Sequence, residues 1–278
     1  MRTISAEEIK NAVAKLSMDA CYFLGDDVYC ALKNSMETEK SATGRDILGQ
    51  LVKNAEIARD EEVAICQDCG LAVIFAEVGQ DVHIDGNFEQ AVNDGVIQGY
   101  QDGYLRKSTC TPLARQNYGN NAPAILHTRL VEGDRIKLTL APKGGGSENM
   151  SAMKMFAPAA GRNGIVEFVV ETVRSAGPNP CPPIVVGVGI GGNFEKAPLL
   201  AKEALLREIG SVNSDETMAE LERELLERIN ALGIGPAGMG GTTTALAVHV
   251  ESAPCHIASL PVAVNLNCHA ARHKTVVL

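Results

Sequence analysis

The stretch Pro254–His273 constrains this chain most. It reads P-C-H-I-A-S-L-P-V-A-V-N-L-N-C-H-A-A-R-H and carries two cysteines and three histidines within twenty residues. Its middle, Ile257–Leu266, is an apolar run of the length of one buried strand. A strand that delivers Cys and His at one end, and Cys, His and Arg at the other, forms one wall of a site. The other walls must come from earlier in the chain.

Bulk properties narrow the options. A length of 278 residues is enough for one large domain or two small ones. Apolar residues make up 45% and charged residues 21%, as in an ordinary globular protein. Tryptophan is absent and the net charge is −9, which argues against nucleic acid as a partner. An anionic substrate would need a locally basic site. The N-terminus M-R-T-I-S-A-E-E-I-K has no apolar signal core, and no run is long enough for a membrane helix. The expected location is the cytoplasm. There, the eight cysteines are thiols or metal ligands rather than a disulfide frame.

Ser5 and Glu8 form a capping box ahead of a helix with Ile9, Val13 and Leu16 on one face. Residues 26–60 continue as helix, broken around Ser41–Gly44. Val63–Ile65 and Leu71–Val78 are expected strands, with C-Q-D-C-G (66–70) as the loop between them. A helix opens at Asn87 and runs to about Lys107. Gly95, Gly99 and Gly103 recur on it at a cost of about 1 kcal/mol each against alanine, so close packing against another element is expected there. Ala124–Val131 and Arg135–Ala141 are expected to pair as a hairpin leading into P-K-G-G-G-S-E-N (142–149). Further helices are expected at Gly164–Ser175, Asn193–Ile209 and Ser214–Leu232, and strands at Ile184–Gly189 and Thr244–Val250. The pattern predicts one mixed α/β (α+β) domain over 1–278. A helical N-terminal lobe, to about residue 60, packs on an α/β domain with short mixed sheets.

Two glycine loops invite a nucleotide reading. G-V-G-I-G-G (187–192) matches G-x-G-x-x-G after a strand, but the next predicted element is a second helix rather than a strand. Gly235–Thr242 outlines a phosphate loop, but Gly241 stands where lysine is required. K-G-G-G-S-E-N differs: three glycines let backbone N–H groups converge on a carboxylate beside Lys143, or simply make a flexible turn. Cys181 lies in P-N-P-C-P-P, a rigid loop suited to a held ligand. Three widely spaced cysteines, Cys66, Cys181 and Cys268, are enough for an iron–sulfur cluster. Cys21, Cys30 and Cys110 have the simpler reading of small buried hydrophobes.

Taken together, C-Q-D-x-G at 66–70, G-Y-L-R at 103–106, P-K-G-G-G-S-E-N, N-P-C-P-P at 179–183 and G-I-G-G-N-F-E-K-A at 189–197 resemble one family. G-I-G-P-x-G-x-G-G at 233–241 and the C-terminal stretch complete the match, which covers about residues 60–273. The sequence resembles the alpha subunits of iron–sulfur class I fumarate hydratases and of L-tartrate dehydratases. The resemblance implies a hydro-lyase of the tricarboxylic acid cycle type, converting fumarate and L-malate. It implies a [4Fe–4S] cluster on Cys66, Cys181 and Cys268, with one iron open to substrate. It implies Asp68 and His256 as a proton-handling pair, and Gln67, Arg106, Lys143 and the Gly144–Gly146 backbone as substrate binders. Arg272 is a further cation near the end of the match. Read without the family, Asp68 caps a turn, Arg106 closes a helix and His256 is a core histidine.

The family's C-Q-D-T-G is C-Q-D-C-G here. Cys69 either offers a fourth thiolate or fills the threonine's space, and the second is favoured because Asp68 must turn toward substrate. Single-chain relatives continue beyond the equivalent of Leu278. The expectation is therefore a separate beta subunit, an assembly of two alpha and two beta chains, a small dicarboxylate substrate, and little activity of this chain alone. The competing readings are a tartrate dehydratase alpha subunit, a non-catalytic iron–sulfur or redox-sensing protein, and a nucleotide-binding module.

Overall fold

The computed structural model describes residues 2–278. In chain order the elements begin with β1 (Arg2–Ser5), α1 (Ala6–Tyr22), α2 (Asp26–Thr38), α3 (Ala42–Glu61), β2 (Leu71–Gly79), β3 (Val82–Asp85) and α4 (Phe88–Asp102). Next come β4 (Ile125–Val131), β5 (Ile136–Lys143), the single turn α5 (Gly145–Glu148), β6 (Ala152–Phe156) and α6 (Gly161–Ala176). The chain ends with β7 (Ile184–Gly191), α7 (Lys196–Ala204), α8 (Glu216–Asn230), β8 (Ala245–Ala253), β9 (Leu260–Asn267) and β10 (Lys274–Val277). The class is mixed α/β, as the patterning predicts. Among the described residues no helix is long and apolar enough to cross a membrane.

The chain forms two compact units. The first holds residues up to Leu24, Asn54–Gly145 and Arg272–Leu278; the second holds Gly25–Lys53 and Gly146–Ala271. The helices of the first sixty residues are shared between them: α1 lies in the first, and α2 with most of α3 in the second.

In the first unit the sheet order is β10-β5-β2-β4, with a small parallel pair β1-β3 beside it. The Ser5 side chain accepts the Glu8 N–H and the Glu8 carboxylate accepts the Ser5 N–H, so the capping box starts α1. Ile9, Val13 and Leu16 of α1 meet Val92 and Val96 of α4 and Ile74, Leu138 and Leu140 of the sheet in one core. The α4 glycines do what their spacing implies. A Cβ on Gly95 would lie 2.5 Å from the Lys10 carbonyl oxygen, and one on Gly99 2.5 Å from that of Ala14. No side chain fits there, so α1 and α4 touch backbone to backbone.

Three local expectations fail here. The 124–131 and 135–141 strands do not pair with each other: β2 lies between them, parallel to β4 and antiparallel to β5. A strand buried on both faces takes a neighbour on each edge. The connecting turn wraps the end of β2 instead, with Gly79 N donating to Arg135 O and Gln80 N to Val131 O. Val63–Ile65 is not a strand; Val63 N closes on Ala58 O, so this segment ends α3. C-Q-D-C-G is therefore a helix-to-strand loop. The helix expected to reach Lys107 stops at Asp102, where Gly103 caps it and Tyr104 turns left-handed with φ 51°.

In the second unit the sheet order is β6-β9-β7-β8, with β7 and β8 parallel and β9 antiparallel to β7. Ile184, Val186, Val188 and Ile190 project from β7 toward α6 and α8, forming a core with Val169, Val173, Leu221 and Leu225. The opposite face of β7 is glycine beyond Val185. A Cβ on Gly187 or Gly189 would sit 2.1 and 2.0 Å from the carbonyls of Ala201 and Ala197 in α7. The G-x-G motif thus serves helix-to-strand contact. The expected 193–209 helix is shorter, spanning Lys196–Ala204, and the strand expected from Ile257 starts at Leu260.

The phosphate-loop outline also has an internal use. Glu39, in the break between α2 and α3, is 2% exposed. Its carboxylate accepts N–H groups from Ser41, Thr242 and Thr243 at 2.8–2.9 Å and the Thr242 hydroxyl at 3.1 Å. Burial alone would raise its pKa, but these donors outweigh it and hold the group down at about 2, against an ordinary 4.5. This stabilisation is complete above pH 4.5 and is lost as pH falls from 4.5 toward 2. Glu39→Gln should cost about 2 kcal/mol at pH 7. In urea unfolding, the gap between wild type and variant should narrow between pH 4.5 and pH 3; a constant gap would refute the assignment.

Candidate functional site

The loop Ile65–Gly70 belongs to the first unit and has almost no ladder partner for its carbonyls. Side chains take them instead. Asn54 Nδ2 donates to Ile65 O at 2.8 Å, Arg272 Nη2 to Asp68 O at 2.7 Å, Tyr100 Oη to Cys69 O at 2.7 Å and Asn121 Nδ2 to Gly70 O at 3.1 Å. Asn121 is fully buried and its own oxygen accepts Ser108 N and Thr109 N, so it also pins the segment after Arg106. Tyr100 and Asn121 are not flagged by any motif; the only signal is a polar residue in a buried place.

Held this way, the loop presents Asp68. Its Oδ1 accepts Gly70 N at 3.0 Å and its Oδ2 accepts Gly145 N at 2.8 Å. A Cβ on Gly144 would stand 3.1 Å from Oδ2. Asp68 and the first two glycines of the 144–146 turn are thus one assembly, and the Gly145 N–H is spent on a carboxylate of the chain itself. Cys66 is partly buried, its Sγ accepting Asp68 N at 3.4 Å and donating to Gln67 Oε1 at 3.3 Å. Gln67 and the Arg106 side chain are exposed, whereas Lys143 and Arg272 are buried. Arg272 thus acts first on the loop backbone.

Cys69 points the other way, into the core of the first unit, and is 2% exposed. Its Sγ accepts Arg106 N at 3.2 Å and donates to Cys66 O at 3.7 Å. The Cys21 thiol beside it, then the Arg106 N–H and the Arg272 charge, hold Cys69 below the ordinary cysteine range against the opposing effect of burial. The same contact, with burial, pushes Cys21 well up. This placement suits the threonine-like reading of Cys69.

The second unit carries Cys181, Cys268 and His256. Cys181 sits in its proline-rich loop at φ 55°, exposed. Its carbonyl accepts both N–H and Nδ1–H of His269, at 3.2 and 3.1 Å. The turn after β9, which carries Cys268, is therefore tied to the Cys181 loop. Gly146 completes the group: a Cβ there would meet Asn179 O at 3.5 Å. His256 lies on the exposed loop between β8 and β9. Its Nδ1 accepts Ala258 N at 3.1 Å, so the neutral ring carries its proton on Nε2. Beneath this loop is a mainly apolar cavity of about 420 Å³, lined by Arg162, Met218, Leu221, Cys255, His256 and Ile257 among others, that the sequence does not announce.

All eight cysteines are thiols. Among the described residues no three Cys, His, Asp or Glu side chains are gathered around a single metal position. A cluster spreads its ligands over several iron atoms, so this bears on a lone ion and not on Cys66, Cys181 and Cys268.

Cys69 supplies a stability test. Cys69→Ala leaves the partly buried Arg106 N–H without its acceptor and should cost about 1–3 kcal/mol. Cys69→Thr keeps an acceptor there and should cost less than about 1 kcal/mol in the same urea titration. Equal losses for the two variants would remove the hydrogen bond from the account.

The chain is similar to known proteins along most of its length. The family described as fumarate hydratase (Fumerase) matches residues 10–277. A Methanocaldococcus jannaschii protein with the provisional name L(+)-tartrate dehydratase subunit alpha is 42% identical over 272 residues, 95% of each chain. The L(+)-tartrate dehydratase subunit alpha of Escherichia coli K12 is 33% identical over 257 residues, 91% of this chain and 85% of its own. With its motifs in order and the match running nearly end to end, the chain belongs to the fumarate hydratase (Fumerase) family.

Proposed function

We propose that the chain is the alpha subunit of a two-subunit, cytoplasmic hydro-lyase that interconverts fumarate and L-malate, using a [4Fe–4S] cluster on Cys66, Cys181 and Cys268. The observation that carries this reading is Asp68, a carboxylate fixed by two backbone N–H groups at the glycine turn. The cysteines fit such a group in kind. Each is a thiol in a loop or turn rather than in a core, and Cys181 and Cys268 share an anchor through His269. When bound, a cluster with one open iron supplies a Lewis acid for the substrate hydroxyl and one carboxylate, with no redox change.

The chain's own groups do the rest of its share. Arg106, Gln67 and Lys143 with the backbone of Gly144 and Gly146 bind and orient the substrate carboxylates, the Gly145 N–H holding Asp68 beside them, and so give an acidic protein a locally basic site. Asp68 and His256 handle the proton at the adjacent carbon. In its neutral form His256 offers Nε2–H. The beta subunit completes the site in an assembly of two alpha and two beta chains.

Dehydration of L(+)-tartrate is a second reading, favoured by the names of the relatives. The substrates differ by a hydroxyl, which residues of the beta subunit can read.

The test uses the complex with its beta subunit, reconstituted anaerobically with iron and sulfide. About four irons and four sulfides per alpha chain are expected, and far fewer in Cys181→Ala. Asp68→Asn should lower kcat by about 10²–10⁴ with KM changed little. Turnover of L(+)-tartrate in preference to L-malate moves the assignment to the second reading. No iron uptake and no turnover of either acid sinks both.

A further inference from the structure

The second unit contains a hydrogen-bonded clamp to which no motif assigns a role. Asn265 lies in β9 on the face that meets α7, among Val262, Ala263, Val264 and Leu266, and is 6% exposed. An asparagine is out of pattern in so apolar a strand. Its Nδ2 donates to Glu148 Oε2 at 2.8 Å and to Ser151 Oγ at 2.8 Å. Ser151 Oγ also accepts Leu266 N at 3.3 Å, and Glu148 Oε1 accepts Lys202 Nζ of α7 at 2.6 Å. The orientation of the Asn265 amide is dictated by the Glu148 carboxylate, which accepts but never donates. Its own oxygen is left buried with no hydrogen-bond partner. The two hydrogen bonds that tie Asn265 to the 146–151 turn are made at that cost.

The clamp closes a triangle. The 146–151 turn touches the Cys181 loop through Gly146 against Asn179 O, and through Asn179 Nδ2 donating to Met150 Sδ at 3.6 Å. That loop is tied to His269, next to Cys268, through the Cys181 carbonyl. Cys268 follows Asn265 by three residues along the chain, and Asn265 returns to the turn through Glu148 and Ser151. Removing the third side takes away the side-chain tie between the two turns and leaves the proline loop, the Leu266 N–H on Ser151 Oγ and the β6–β9 ladder to hold them.

We propose that Asn265 and Glu148 are positioning residues that fix the glycine turn and the Cys268 turn to each other. They set the ligand geometry for the cluster and the substrate-binding backbone together. The link to cluster and substrate rests on the function proposed above; the clamp itself does not.

The experiment compares wild type, Asn265→Leu and Glu148→Ala on the chain in complex with its beta subunit. Glu148 is partly exposed, so its variant keeps the test available if Asn265→Leu does not fold. Amide hydrogen exchange should quicken about tenfold in residues 146–151 and 266–270, with the rest of the sheet unchanged and Tm within about 3 °C of wild type. Loss of iron to a chelator should quicken several-fold, and KM for the dicarboxylate should rise more than kcat falls. Wild-type exchange in both segments overturns the clamp, whatever the iron content. Local quickening in a wild-type background that takes up no cluster upholds the clamp and removes the iron–sulfur reading. Quickened exchange with wild-type iron retention and wild-type KM reduces the clamp to a structural tie and overturns its positioning role.

Discussion

A loop laid against a core must find a partner for each backbone group it buries. The segment Ile65–Gly70 meets that requirement partly with its own side chains and, for four of its carbonyls, with side chains from four places: α3, α4, the segment before β4 and the start of the C-terminal tail. Asp68 is held at the glycine turn because the peptide groups around it have nowhere else to go. The same bonds turn Cys69 inward and leave Cys66 and Gln67 facing out. The geometry of this part of the site is thus a by-product of backbone satisfaction, secured by residues with no chemistry of their own.

Glycine-rich loops in this chain are easily mistaken for ligand cradles. Two of them hold carboxylates that the protein provides: Glu39 in the 235–243 loop and Asp68 at Gly145. A third, at 187–192, brings a helix against a strand. A loop of successive N–H groups attracts an anion whatever its source. Where phosphate would require a lysine, Gly241 and the buried Glu39 show a loop already neutralised from within.

Much of this was legible in the residues. The capping box, the helix break near Ser41 and the close approach signalled by Gly95 and Gly99 all appear where local chemistry places them. Position along the chain also indicated the candidate residues, since Cys66, Cys181 and Cys268 each stand at a loop or strand end. What the residues did not disclose is pairing at a distance. Nothing local in 124–141 says that β2 will separate two strands joined by a short turn, because register depends on which edge another strand needs covered. Nor does the sequence mark Tyr100 or Asn121, whose value lies in the few backbone atoms each one meets. Asn265 did carry a faint signal, as a polar residue in the middle of a buried strand.

The order in which the first unit is assembled follows from its outermost strand. β10 pairs with β5, and Leu278 exchanges hydrogen bonds with Ile136. Arg272, just before it, takes the Asp68 carbonyl. During synthesis, β5 therefore waits with one edge bare until more than a hundred further residues have been made, and the C-Q-D-C-G loop lacks one of its four fasteners for as long. A nascent chain in that interval exposes an unsatisfied strand edge. A chain released before β10 is made should accordingly be more prone to aggregation than one that carries it.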